Sequence, residues 1–438
     1  MTWKEHYKKI IAVALPVSIG QLGHILVVLA DSIMIGQLGA APLAAASFAN
    51  SIFLMVFIFG YGISFGVTPL VAAADGKNDT AESGKLLKNS FLLALMAGTT
   101  LFLIVELVRP LLPFMGQEAI VVQLGSPYFA LLGLSMVPLM LFMFCKQFAE
   151  GLSLTKYAMI VSIVGNLLNV FFNYLLIFGN WGFPEMELKG AGWATFSARL
   201  LMAIAMVVYI FFHKDFHKYL VVKVKFSMVE IRKILTIGIP SGIQFIFEVG
   251  AFVVGAIMIG WIGATELAAH QIAISLVAST YMVATGIAAA ATVRVGNAFG
   301  RNDLKSARKA GFSSFHLSLI FMGCGAIVFI LGNSVFPTWY IDNQKVIDIA
   351  SSLFIIAAFF QLSDGLQVVG LGALRGLTDV KIPTIVTFVA YWVLGLSSSY
   401  LLAFTFNLGV QGVWYGFIIG LSSAALMHVL RFNYLTKQ

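Results

Sequence analysis

Charged residues and cysteines are scarce in this sequence, and the scarcity of charge excludes a soluble protein. Asp, Glu, Lys and Arg make up 11% of the 438 residues, whereas hydrophobic residues make up 60%. The mean hydropathy of +0.94 describes a chain with more apolar surface than a water-soluble domain of this length can bury. We therefore predict an all-α, polytopic membrane protein.

The motifs of several enzyme classes are also missing. The sequence has no Walker loop, no H-E-x-x-H helix and no zinc-ligand pair, so ATP-driven export and intramembrane metalloproteolysis have no residues to perform them. Cys145 and Cys324 lie in separate hydrophobic stretches and indicate packing residues rather than a disulfide. We expect neither an enzyme nor a cofactor. The net charge of +8 is spread over short loops, so no nucleic-acid partner is expected.

What the sequence does contain is a series of long apolar segments. A helix needs about 20 apolar residues to cross the hydrocarbon core of a bilayer. The first segment lacks the cleavage site of a signal peptide, so we expect it to remain as a helix. Most Lys and Arg residues fall on the side that holds both termini, and the positive-inside bias makes that side cytoplasmic. We count twelve spans, at residues 10–34, 43–74, 86–108, 124–148, 156–179, 190–212, 234–262, 268–298, 311–333, 345–374, 382–406 and 410–432.

The two halves of the chain repeat each other at an offset of 224 residues. Residues 16–79 align with residues 240–303 without a gap, and the match continues into the loops, where Gly76–Asp79 aligns with Gly300–Asp303. Apolar composition alone would produce far fewer identities, so the repeat indicates two related lobes.

Each half contains six spans, so the two lobes share one orientation and are expected to be related by an axis along the membrane normal. We predict an N-terminal lobe at residues 1–212, a cytoplasmic linker at residues 213–233 and a C-terminal lobe at residues 234–438, arranged around a central cavity. Two such lobes rocking about a cavity would provide alternating access.

Three carboxylates lie inside the apolar spans with no basic residue nearby in sequence to neutralise them. In the repeat, Asp31 aligns with Gly255 and Glu248 aligns with His24, so neither acid belongs to the shared scaffold. An ionised carboxylate inside the bilayer costs about 2.5 to 3.5 kcal/mol even on a lenient insertion scale. We therefore predict that Asp31, Glu248 and Asp364 bind cations, either Na⁺ or H⁺.

Polar side chains accompany Asp31 in the first lobe. Asn166, Asn169 and Asn173 share one face of the fifth span, and Thr195 follows on the sixth. Carboxylate, amide and hydroxyl oxygens suit a hard cation such as Na⁺, whereas a proton needs only the carboxylate and a partner. A network of hydrogen bonds that merely holds the helices together is the alternative.

Aromatic and Met side chains are candidates for contact with a cargo molecule. Tyr281 offers a ring face to a cationic drug. Met34, Met258, Met282 and Phe247 are predicted to line an adaptable apolar cavity, because Met and aromatic side chains accommodate many ligand shapes. For the Met and Phe residues the alternative is ordinary packing or contact with lipid, and for Tyr281 it is a packing or interface role.

Taken together, these features resemble the multidrug and toxic compound extrusion (MATE) family, and in particular its NorM-type branch. The resemblance covers nearly the whole chain and depends on motifs that are specific only in combination. Besides the two-lobe layout, the motifs are the Val28–Gly36 run, Asn169-x-x-x-Asn173-Tyr174, Phe183-Pro184-Glu185, Glu248, Asp364 and Gly372-x-Leu374-Arg375-Gly376.

The resemblance implies a multidrug efflux antiporter that exchanges cationic or amphiphilic drugs for Na⁺ or H⁺. We also expect the protein to lie in the inner (plasma) membrane and to function as a monomer. It implies cation binding in the first lobe by Asp31, Asn169, Asn173 and Thr195. In the second lobe it implies cation binding by Glu248 and Asp364 and an aromatic cation contact at Tyr281. The residues do not decide between Na⁺ and H⁺.

The main alternative is a flippase for lipid-linked oligosaccharides or other lipids, from the related export superfamily. Such a protein would more often carry fourteen spans and a cationic cavity for a pyrophosphate group. The candidate residues here are acidic, which favours a cationic cargo.

Overall fold

The computed structural model of the protein describes residues 3–222 and 226–437. Within these residues the chain consists of helices joined by short turns, with 3-10 and π segments at some positions and no β-strand. The predicted all-α class is therefore confirmed. Lys223 and Lys225 of the predicted linker lie outside the described residues.

Twelve helices of the described residues are long and apolar enough to cross a membrane, which confirms the predicted number of spans. A short helix, Lys214–Leu220, follows the sixth of them. In chain order the twelve are α1 (Trp3–Gly36), α2 (Ala40–Gly76), α3 (Thr80–Phe114), α4 (Ala119–Gly151), α5 (Thr155–Phe178), α6 (Glu187–Phe212), α7 (Met228–Ile262), α8 (Ala264–Gly300), α9 (Leu304–Gly332), α10 (Gln344–Gly376), α11 (Lys381–Thr405) and α12 (Gly409–Thr436).

Several helices extend beyond the boundaries predicted from hydropathy. Helix α1 begins at Trp3 rather than residue 10, and α3 begins at Thr80 rather than residue 86. Charged residues such as Lys4 and Lys85 end an apolar run, but Lys is a good helix former and the backbone hydrogen bonds continue through it. The helices therefore include polar end turns that an apolar pattern does not detect.

The repeated loop motif forms the same turn in both halves of the chain. Asn78 and Asn302 each adopt a left-handed backbone with φ of 57°, a conformation that Asn tolerates better than most residues. The next residue in each copy caps the following helix, because Asp79 accepts from the Glu82 amide and Asp303 accepts from the Ser306 amide, both at 2.9 Å. Hydrogen bonds from Ser306 lower the pKa of Asp303. The repeated residues thus form the same turn and the same helix cap in both copies.

The described residues form two compact units. The unit here called the N-unit comprises Ile19–Gly242, and the C-unit comprises the described residues up to Ser18 together with those from Ile243 onward. The division falls within α1 and within α7. The lobes predicted at residues 1–212 and 234–438, and the linker between them, remain predictions about domain organisation.

Small residues bring α8 and α10 close together in the C-unit. A Cβ atom at Gly372 would collide with the backbone carbonyl of Ala288, and one at Gly376 would approach the Thr292 carbonyl. Thr292 Oγ1 also donates to the Gly372 carbonyl at 2.8 Å. This close approach is typical of small-residue packing between membrane helices, where van der Waals contact and hydrogen bonds replace the hydrophobic effect.

Gly372→Ala is expected to lower the free energy of unfolding by about 1 to 3 kcal/mol, because the new methyl group forces two backbones apart. Gly323→Ala on α9 is the matched control, since a Cβ there meets no atom within 4 Å. Thermal unfolding of the purified protein in detergent measures both. Equal midpoints for the two variants would contradict the close packing of α8 and α10.

Candidate functional site

The structure brings the four predicted polar residues of the N-unit into one cluster. Asn173 on α5 donates from Nδ2 to Asp31 Oδ1 on α1 at 2.5 Å. The Asn173 amide nitrogen also lies 3.5 Å from Asn169 Oδ1, and Asn169 Nδ2 in turn donates to Thr195 Oγ1 on α6 at 3.4 Å. Asn169 and Asn173 lie next to each other because they are one turn apart on the same helix face.

One oxygen of this cluster lacks a partner. Asn173 has an exposed fraction of 0%, and its Oδ1 atom makes no hydrogen bond within the described chain. A buried acceptor without a partner is uncommon and often marks the position of an ion or water. Beside the Asp31 carboxylate, this amide oxygen is well placed to serve as a ligand of a hard cation.

Sequence reasoning missed the half-buried arginine beside this cluster. Arg199 lies one turn beyond Thr195 on α6, donates from Nη1 to Ser135 Oγ at 2.6 Å and lies 5.3 Å from the centre of the Phe53 ring. Its charge acts on Asp31, although the described residues contain no ion pair to Asp31 within 4.0 Å. A basic residue in the middle of an apolar span was the available signal.

The C-unit holds the other two predicted acids. Glu248 on α7 and Asp364 on α10 have exposed fractions of 4% and 3%, and the charge of Glu248 acts on Asp364. The Tyr281 hydroxyl on α8 donates to Glu248 Oε1 at 3.0 Å. Two buried carboxylates that repel each other favour uptake of a cation or a proton between them.

Further polar groups act on these acids, and one of them, Arg375, belongs to the Gly372–Gly376 motif. The charge of Arg375 acts on Glu248, and the Gln367 side chain lies beside it. Tyr391 interacts electrostatically with Glu248 and Asp364, and its buried hydroxyl has no hydrogen-bond partner in the described chain. Tyr391 lies in the π-helical segment Val389–Leu396 of α11, and π segments occur frequently at functional sites.

The apolar residues predicted to contact cargo occupy different environments. Met34 is half-buried against the core of the N-unit. In the C-unit, Met258 is buried within the hydrophobic core, whereas Met282 and Phe247 are half-buried. The ring of Phe247 packs 5.0 Å from that of Phe388. Their roles in binding cargo remain predictions.

Among residues 3–222 and 226–437, no group of three or more His, Cys, Asp or Glu side chains is arranged to hold a metal ion. Cys145 and Cys324 are free thiols. The groups available to a cation are therefore carboxylate, amide and hydroxyl oxygens, which suit Na⁺ or a proton rather than a soft metal.

The twelve spans define an integral, multi-pass membrane protein. One compact unit holds the half-buried Asp31 among amide and hydroxyl groups, and the other holds two buried acids. The family model named MatE matches residues 16–175 and again residues 240–401, and these matches begin at the two residues that open the internal repeat. The chain therefore belongs to the MatE family of membrane transporters.

Individual relatives match over the full length. The probable multidrug resistance protein NorM of Rhizobium meliloti is 33% identical, over 100% of this chain and 95% of the relative. The multidrug resistance protein NorM of Photobacterium profundum is 32% identical, over 100% of this chain and 97% of the relative. A crystal structure of a MATE transporter in the bent conformation shares the fold, with a TM-score of 0.91 at 19% identity over 100% of this chain and 98% of that one.

Asn173→Ala is expected to lower the free energy of unfolding by about 1 to 2 kcal/mol, because it removes the hydrogen bond to a carboxylate inside the membrane. Asn166→Ala is the control, since Asn166 lies on the same face of α5 and makes none of the cluster's hydrogen bonds. Chemical or thermal unfolding in detergent measures the difference. If both variants unfold alike, Asn173 does not support Asp31.

Proposed function

We propose that the protein is a cation-coupled antiporter that exports cationic or amphiphilic drugs in exchange for Na⁺ or H⁺. The observation that carries the proposal is the buried pair of acids in the C-unit. Glu248 and Asp364 are almost inaccessible, and each ionised group is costly inside a membrane. The names of the relatives, multidrug resistance proteins, support drugs as the cargo.

The electrostatics of these acids support exchange rather than simple binding. The repulsion between Glu248 and Asp364 is relieved when a positive charge enters, and Arg375 offsets part of the charge of Glu248. A coupling ion and a cationic drug satisfy the same unmet charge, so occupancy by one lowers the affinity for the other. Because binding free energies are linked, the effect is reciprocal. Binding of the ion promotes release of the drug, and binding of the drug promotes release of the ion.

Two features support the roles assigned around these acids. The Tyr281 hydroxyl donates to Glu248 Oε1 at 3.0 Å, which places an aromatic side chain of the kind that binds cationic drugs beside this acid. In the N-unit, Asp31 with Asn169, Asn173 and Thr195 provides a second set of oxygen ligands. We propose that both sets bind the coupling cation.

The transport cycle is proposed to be alternating access between two lobes related by the internal repeat. In this cycle the outward-open state takes up the coupling ion, and the inward-open state exchanges it for the drug. The distribution of Lys and Arg supports cytoplasmic termini and a location in the inner (plasma) membrane of the cell. We propose that one copy of the chain performs the whole cycle.

Glu248→Gln and Asp364→Asn are each expected to reduce ion-driven ethidium transport in liposomes by at least about tenfold, because the neutral amides no longer require a cation. Glu106→Gln is the control, since Glu106 forms an ion pair with Arg109 at 2.8 Å near the end of α3 and should be dispensable. Transport is measured as the rate of ethidium fluorescence change after a gradient is imposed.

The same assay identifies the coupling ion. A Na⁺ gradient at equal pH and a pH gradient at equal Na⁺ are imposed separately on vesicles that contain the unaltered protein. Transport driven by one gradient alone identifies that ion as the coupling ion. Wild-type rates in both Glu248→Gln and Asp364→Asn would contradict the assignment of the C-unit acids.

A further inference from the structure

Arg199 is a charged residue of the N-unit that is not required for the binding of a cation there. It lies near the middle of α6, which spans Glu187–Phe212, and one turn beyond Thr195 on the same helix face. Basic residues at this depth are rare and generally face partners that use the charge. An arginine beside a proposed cation site is unexpected, because it competes with the cation that the site is meant to bind.

The structure shows where the Arg199 charge is held. Its Nη1 atom donates to Ser135 Oγ at 2.6 Å, and its guanidinium carbon lies 5.3 Å from the centre of the Phe53 ring. Ser135 is fully buried, and its hydroxyl donates to the Leu132 carbonyl at 2.6 Å. Because that bond uses the only hydroxyl proton, the remaining lone pairs of Ser135 face the guanidinium as acceptors.

Both of these contacts are with uncharged groups. The charge of Arg199 acts on Asp31 and on Tyr128, and Tyr128 donates to Asn50 Oδ1 at 3.4 Å. Within the described chain no basic group lies within 4.0 Å of Asp31. Arg199 is therefore near enough to influence Asp31 but is held away from it by Ser135 and Phe53.

The other basic groups of this region are less suited to serve Asp31. Lys146 on α4 pairs with Glu150 at 3.8 Å, so its charge is already balanced within its own helix. His24 lies two turns before Asp31 on α1 and interacts with Arg199 and Lys146, both of which are positive. Arg199 is permanently charged and carries a long side chain with five donors, which suits it to move between two acceptors.

We propose that Arg199 is a tethered counter-cation that competes with the coupling cation for Asp31. When the site is empty, the guanidinium moves onto the Asp31 carboxylate and balances its charge. When a cation occupies Asp31, Arg199 withdraws to Ser135 and Phe53, whose contacts with the guanidinium define that second position. The inference rests on the proposed function, because it concerns regulation of the same cation site.

This arrangement sets the affinity of the site. While the Arg199 guanidinium occupies Asp31, an external cation cannot bind there. The apparent affinity for the cation is therefore reduced in proportion to the fraction of time that Asp31 is free of Arg199. An ionised, unpaired carboxylate inside a membrane is costly, and this cost opposes release of a bound cation. Arg199 thus supplies a replacement charge at the moment of release, and Ser135 determines how readily that replacement is withdrawn.

The proposal predicts shifts of opposite sign for two substitutions. Arg199→Gln removes the competitor, so the dissociation constant for the cation should fall by at least about fivefold, the lower end of ordinary coupling between sites. Ser135→Ala weakens the withdrawn position, so Arg199 should occupy Asp31 more often and the dissociation constant should rise by a similar factor. Arg199→Lys preserves the charge and should restore competition relative to Arg199→Gln.

The test is equilibrium binding of ²²Na⁺ to the full-length protein in detergent, with each substitution placed in the Glu248→Gln/Asp364→Asn background so that Asp31 is the acid measured. The pH at which half of the bound Na⁺ is displaced gives the competition by H⁺. Adding Asp31→Asn should abolish both shifts. Size-exclusion chromatography verifies that each variant is folded.

Opposite shifts for Arg199→Gln and Ser135→Ala would support the proposal. Shifts in the same direction, unchanged dissociation constants, or Na⁺ binding in none of the variants would overturn it. Because binding is measured without transport, opposite shifts in a protein that exports no ethidium would contradict only the antiport function. Ion-driven export without these shifts would contradict only the role of Arg199.

Discussion

The cost of holding ionised carboxylates inside a membrane is the constraint on which the rest of this structure depends. Asp31, Glu248 and Asp364 lie within apolar spans, and the described residues contain no salt bridge to any of them. Each acid is instead placed among neutral donors or beside another charge at longer range. An ionised acid in such a site is costly unless a positive charge is near, and on this ground we propose that the acids link the stability of the fold to the binding of a cation.

Positions that are identical in the two halves of the repeat and positions that differ between them have different roles. Shared positions build the scaffold, as in the two turns where Asn78 and Asn302 adopt the same left-handed conformation before an Asp helix cap. The acids are not shared, so each unit surrounds its carboxylates with different partners. Asparagine and threonine side chains accompany Asp31, whereas Tyr281 and a second acid accompany Glu248.

Features that depend on local sequence could be predicted, and features that depend on helix packing could not. The twelve spans follow from apolar runs, and the pairing of Asn169 with Asn173 follows from helical spacing. Arg199 was visible as a charge within a span, but its contacts with Ser135 and Phe53 depend on how three helices meet. Tyr391 was missed because it lies in a π segment, whose altered side-chain direction no hydropathy pattern reveals.

The central claim is that a drug and the coupling ion exchange for the same negative charge. The most direct measurement is ion release from the purified, unaltered protein when ethidium is added, followed with a Na⁺ electrode and with a pH indicator in weakly buffered solution. The account predicts release of Na⁺ or H⁺ in proportion to the ethidium bound. Ethidium binding with no release of either ion would contradict it.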